Sequence, residues 1–178
     1  MRRKPNHSAL LALFTLLLAL AVPTHVRAQS AAFNGTFTYD AAASDDINKA
    51  IEQGIAKMNF ITRPVARGRL KKTNEPYKKI VIAQTPSEVS ITTDNRAAIV
   101  TPANGTAIKW KREDGEVLDV HTAWADGKLV QEFDAEDGKR INSYTISGDG
   151  NTLTMHVTVS SPRLPKPITY NLVYRRQA

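Results

Sequence analysis

The stretch NGTAIKWKREDGEVLDVHTAWADGKLVQEFDAEDGKRINSYTISGDG, residues 104–150, decides the fold. It holds Asn104-Gly105, Asp114-Gly115, Asp126-Gly127, Asp137-Gly138 and Asp149-Gly150, spaced 10, 12, 11 and 12 residues apart. Asn-Gly and Asp-Gly supply the positive φ that tight hairpins require. One such pair says little. Five at nearly even spacing, each flanked by alternating residues, predict a meander of antiparallel hairpins.

The alternation between the turns assigns the faces. Ile108 and Trp110 oppose Lys109 and Lys111; Leu118, Val120 and Trp124 oppose Asp119 and His121; Leu129 and Phe133 oppose Glu132. Further on, Leu153, Met155, Val157 and Val159 oppose Thr152, Thr154, His156 and Thr158. Ile168, Tyr170, Leu172 and Tyr174 oppose Thr169, Asn171 and Arg175. One face is apolar and the other polar, as in an antiparallel sheet with one wet side. The inward face so read carries few polar groups. Upstream, Ile80-Val81-Ile82, Val89-Ser90-Ile91 and Ala98-Ile99-Val100 read as short strands, and Phe33 to Tyr39 as the first strand. Joining every strand to the next would leave two open edges in a flat sheet, and closing the sheet removes them. The expectation is an all-β, antiparallel up-and-down barrel of eight to ten strands. A sandwich needs longer crossovers, and only residues 40–79 are long enough for one.

That stretch reads as one or two helices after the first strand. Ser44 suits an N-cap, with Asp45 and Asp46 in the first turn. Ile47, Ile51, Ile55 and Met58 then make one apolar stripe, so residues 44–59 form a lid over something apolar. Pro64 opens a second short helix or surface loop that ends before Pro76. Residues 63–79 are strongly basic, through Arg63, Arg67, Arg69, Lys71, Lys72, Lys78 and Lys79 against Glu75. Such a run is either a solvated face or a contact for an anionic head group, acidic partner or membrane phosphate.

The chain begins like an exported protein. Arg2, Arg3 and Lys4 precede an apolar run from Ala9 to Val22, then Pro23 and Val26-Arg27-Ala28. This is the order of a cleavable signal, and the run is too short for the ~20 residues of a membrane span. Cleavage after Ala28 gives a leader, 1–28, and a single domain, 29–178, with no transmembrane span left. The domain works in a periplasm or outside the cell; the short signal and lack of cysteine suit a bacterial envelope. The formal charge of +7 shrinks accordingly. Of 24 basic residues, Arg2, Arg3, Lys4 and Arg27 leave with the leader; against 17 acids the mature chain keeps +3. That is too mild to argue for nucleic acid. No cysteine means no disulfide framework or thiol chemistry.

As a layout, the mature chain resembles the lipocalin and fatty-acid-binding-protein (calycin) group of barrels. Helices sit between the first strand and the rest, as the lid helices do in fatty-acid-binding proteins. Gly35-Thr36-Phe37 stands where lipocalins place Gly-x-Trp. Arg175 stands near where they place an arginine across that Trp; here it would cover a phenyl ring. The resemblance implies that a small apolar molecule binds inside the barrel.

No catalytic residue, metal site or cofactor is expected. Asp119 and His121 share a strand face, but the outer one, and with His156 they are too few for a zinc site. No nucleophile elbow, zinc-protease or phosphate-loop motif occurs. Phe37, Trp110, Trp124, Phe133, Tyr170 and Tyr174 fall on the inward face. They line an apolar ligand cavity or fill the core, since small barrels can be packed by their own side chains. The inward hydroxyls of Tyr170 and Tyr174 tip the balance toward a cavity, because they need partners. Non-catalytic binding of a small apolar or amphipathic ligand is the leading expectation, with Arg67, Arg69, Lys71 or Lys72 meeting a charged head. The rival is a filled barrel that acts through its outer surface as an envelope interaction protein or inhibitor. A cavity of about 300 Å³ or more separates the two.

Overall fold

Alternation and turns give ten antiparallel strands. A computed structural model describes residues 32–178; the expected leader lies outside the described residues. The strands are β1 (Gly35–Asp40), β2 (Lys79–Gln84), β3 (Glu88–Thr93), β4 (Ile99–Pro102), β5 (Ile108–Lys111), β6 (Val117–Ala125), β7 (Lys128–Ala135), β8 (Gly138–Ile146), β9 (Thr152–Ser160) and β10 (Ile168–Arg176). They form one sheet in the order β4-β3-β2-β1-β10-β9-β8-β7-β6-β5. First and last strands pair, Phe37 opposite Arg176 and Tyr39 opposite Tyr174. The sheet therefore curls into a nearly closed barrel.

The seam is where the sequence reading needs correction. Asn104-Gly105 does not make a hairpin: β4 and β5 are the two edges and are not hydrogen-bonded to each other. Both are only four residues long, and Pro102 at the end of β4 has no N–H to donate. The connection instead passes over β6, where a Cβ on Gly105 would touch Ala123. The other four turns behave as expected, for two reasons. Gly115, Gly127 and Gly150 have φ of 92°, 73° and 74°. Gly138 is needed for space, since a Cβ there would come within 2.6 Å of the Ser160 carbonyl oxygen.

Between β1 and β2 lie α1 (Ile47–Ile55) and α2 (Arg63–Thr73). Ile51 and Ile55 are fully buried and Gly54 packs on Ile168 of β10. The N-cap is Asp46, which accepts from the Lys49 N–H, and not Ser44. Ser44 and Asp45 stitch the lid to β10 instead. The Val173 N–H donates to Ser44 Oγ (2.9 Å) and the Asn171 N–H to the Asp45 carboxylate (2.7 Å). Val173 is the last β10 residue in register with β1 and Asn171 lies beyond it, so side chains take over there from the ladder. In contrast α2 buries none of its residues. Arg63 caps α1 through the Ala56 and Met58 carbonyls, and Arg67 forks onto Glu52 at 2.5 and 2.8 Å.

The main core gathers Phe33, Phe37, Ile80, Ile82, Leu129, Tyr144, Leu153, Met155, Leu172 and Tyr174, among others. At one end Phe33 meets Trp124 edge-on at 5.2 Å. Beside it a guanidinium lies 4.6 Å above the Phe37 ring, but it belongs to Arg176. Arg175 points outward to Asp40 and Thr152. Strand parity explains the one-residue correction: Phe37 faces in, its partner in register is Arg176, and neighbouring residues face opposite ways. Gly35, with φ of 151°, leaves the room that Arg176 uses; a Cβ there would lie 2.1 Å from Arg176 Nη1.

Candidate functional site

The barrel interior is more polar than its hydropathy pattern suggests. Thr122, Gln131 and Asn142 are buried, and Arg140 shares the inward face of β8 with Asn142 and Tyr144. The expectation of few polar groups inside is thus corrected. Strand β8 hides them because its apolar Ile141 points outward while Arg140 and Asn142 point in. Gln131 and Thr122 are concealed differently: each sits at an inward parity position between two apolar neighbours.

Arg140 is the centre of this group. Its Nε donates to Asn142 Oδ1 at 2.9 Å, and its Nη1 to Asn74 Oδ1 at 3.0 Å and the Thr73 carbonyl at 3.3 Å. Every one of these acceptors is neutral. Among the described residues no carboxylate lies within ion-pair distance of it, whereas most other arginines with side-chain bonds hold an acid. The Tyr77 ring lies 6.0 Å away. Burial works against the charge, but the tyrosine oxygens around it, Tyr77 foremost, more than offset this and push the arginine upward. It stays a cation.

Asn74 links this cation to the lid. It caps the end of α2, and its Nδ2 donates back to the Leu70 carbonyl at 2.8 Å. Its Oδ1 accepts from both Arg140 and the Tyr170 hydroxyl, the latter at 2.8 Å. Asn74 also lines a cleft of about 520 Å³ between the end of β1, α1 and the α2–β2 connection. Tyr39, Ile47 and Ile51 form its apolar wall; Asp45, Asp46, Lys71 and Glu75 form its polar one. The cleft has the volume of a ligand site and reaches Asn74, but it lies between the lid and the end of β1, and none of Phe37, Trp110, Trp124, Phe133, Tyr170 and Tyr174 lines it.

The six residues singled out in the sequence divide into three places. Tyr170 is in the polar group under the lid. Trp110 and Phe133 form an edge-on pair at 6.0 Å, and Phe133 is opposite Arg140 in register. Trp124, Phe37 and Tyr174 belong to or pack on the main core. Tyr174 leans on Tyr39 at 5.6 Å, and its buried hydroxyl has no partner among the described residues. Burial pushes the hydroxyls of Tyr144, Tyr170 and Tyr174 upward, so all three keep their protons and remain donors. Of the basic residues proposed for a head group, Arg67 is taken by Glu52 and Lys71 lines the cleft. On the outer surface Asp119 pairs with Lys109 and His121 faces Glu132, so the two do not act together.

The same architecture is found in solved structures of low sequence similarity. The Echinococcus granulosus fatty-acid-binding protein 1 superposes with a TM-score of 0.53 at 16% identity, covering 83% of this chain and 99% of that one. A Schistosoma mansoni fatty acid binding protein in complex with arachidonic acid gives 0.52 at 15%, covering 83% and 97%. The REP1-NXSQ fatty acid transporter gives 0.54 at 12%, covering 83% and 98%. No protein-family model matches the chain, and no curated protein matches it in sequence. At these identities the likeness is one of fold.

Proposed function

We propose that this protein is a non-catalytic carrier of a small amphipathic molecule. The apolar body lies in the barrel, and an anionic head, a carboxylate before all, lies on Arg140. The observation that carries this is a guanidinium facing inward with only neutral partners. Its neutral partners leave the positive charge itself uncompensated, which is what a bound anion would neutralise. A carboxylate suits the planar fork of arginine. Tyr170, whose one O–H is given to Asn74 Oδ1, flanks the same point and would donate to the head only by leaving that bond. Phe133 and Trp110 would cover the first carbons, Trp124 and Tyr174 the chain beyond, and Phe37 would close the floor beneath Arg176. The lid of α1 and α2 gives entry through the cleft at Asn74. That the similar structures include one holding arachidonic acid supports the ligand class.

The leader-like first 28 residues support the reading that this activity is outside the cytoplasm, in an envelope compartment. Among the described residues no helix is long and apolar enough to cross a membrane. A second reading, contact with a protein partner through the outer surface, is favoured by one feature: Phe60, Ile61 and Val65 stand exposed on the lid.

Native mass spectrometry of protein purified gently from an exporting host decides between them. The carrier reading expects added mass that departs on denaturation, and an acidic lipid in the organic extract. A clean apo mass that persists after incubation with long-chain carboxylates contradicts it and shifts the case to the exposed lid.

A further inference from the structure

The barrel holds a second polar feature that a carboxylate head does not use. Thr122, Gln131 and Asn142 stand opposite one another across β6, β7 and β8, in a single row of the sheet. Their exposures are 0%, 2% and 1%. Asn142 is satisfied, since it accepts from Arg140 and donates to the Tyr144 hydroxyl at 3.4 Å. Thr122 Oγ1 and Gln131 Nε2 are not: both are buried with no partner among the described residues. Native proteins rarely leave such atoms bare, because each costs stability. The neighbours on the same inward face are Val120 and Trp124 on β6, and Leu129 and Phe133 on β7. Valine has the shape of threonine and leucine is close to glutamine in volume, so a purely structural core had apolar choices here.

We infer that Thr122 and Gln131 bind a second oxygen of the ligand, so that the cargo is an acyl chain bearing a hydroxyl or keto oxygen part-way along. This rests on the carboxylate reading above. Gln131 Nε2 donates to that oxygen. The Thr122 hydroxyl, which both gives and accepts, donates to a keto oxygen or accepts the hydrogen bond of a hydroxyl. The spacing sets where the oxygen must be. The row lies two residues along β8 from Arg140, about 7 Å, and one to two strands away around the barrel, about 5–10 Å. The second oxygen therefore lies on the order of 10 Å from the head, and an oxygen beside the carboxylate does not reach. A site built to hydrogen-bond an oxygen discriminates against the analogue lacking it, because its own polar atoms stay bare.

The test is calorimetric titration of the protein with three probes: octadecanoate, its mid-chain hydroxy derivative, and the isomer hydroxylated next to the carboxylate. The mid-chain compound is expected to bind about tenfold more tightly than either of the others. In the double variant Thr122→Val, Gln131→Leu that gap closes, while octadecanoate binds as well as before or better. Melting curves check that the variant folds; if it does not, the comparison of the three probes on the native protein decides alone. Equal affinity for all three, or a gap that survives in the variant, overturns the inference and leaves the carrier reading standing. Failure of all three to bind overturns both.

Discussion

Replacing Arg140 with Met weakens binding of a long-chain carboxylate by about 2 kcal/mol, roughly thirty-fold, and leaves binding of the matching alcohol unchanged. The figure is that of one hydrogen bond to a charged group lost from an enclosed site. Methionine fills most of the volume, so the packing against Phe133 and Tyr77 changes little. Stability falls modestly as well, because methionine leaves the buried Asn142 Oδ1 without its donor and unties Thr73 and Asn74 from β8. Asn74 retains its bond from Tyr170, so the lid stays capped. Displacement of a fluorescent fatty-acid probe, with a melting curve alongside, reads both effects. An affinity loss accompanied by an equal fall in the alcohol's binding would mean that Arg140 shapes the cavity without reading the head.

Arg176→Ala has the largest expected effect on folding. This one side chain covers the Phe37 ring and donates to three backbone carbonyls, of Gly150, Asn34 and Ala32. It ties the segment entering β1 to the turn between β8 and β9. Its loss removes a cation–π contact and uncaps those carbonyls, for about 3 kcal/mol in total. In a domain of this size that is a fall of roughly 10 °C in melting temperature. Arg175→Ala serves as the comparison. Its partners, Asp40 and Thr152, are at the surface, where ion pairs add little. A thermal scan of the two variants therefore separates adjacent arginines by the face each occupies.

The barrel was legible because its signals are local. Turn glycines and two-residue alternation are written within each hairpin, and the apolar stripe of α1 within three turns of helix. The register between β1 and β10 is not local, since it joins residues nearly the whole chain apart. That is why the arginine over Phe37 was placed one residue early. The open seam was missed for a related reason: Asn104-Gly105 has the chemistry of a hairpin turn, and only the short strands around it prevent the pairing. The polar site is masked by the same hydropathy that marks the walls. Reading the inward face by hydropathy selects Leu129 and Phe133 and passes over Gln131 between them. On β8 the one large aliphatic residue before Tyr144 is Ile141, which is on the outer face. Parity alone, carried from Phe133 across its turn to Arg140, would have found the cation.

Titration of the native protein with a long-chain carboxylate and with the alcohol of the same chain length tests the carrier reading. A carrier with a cationic head site binds about one molecule per chain saturably, with a negative heat-capacity change for both and a preference of about 2 kcal/mol for the carboxylate. Equal affinity for the two, or no saturable binding of the carboxylate, would contradict it.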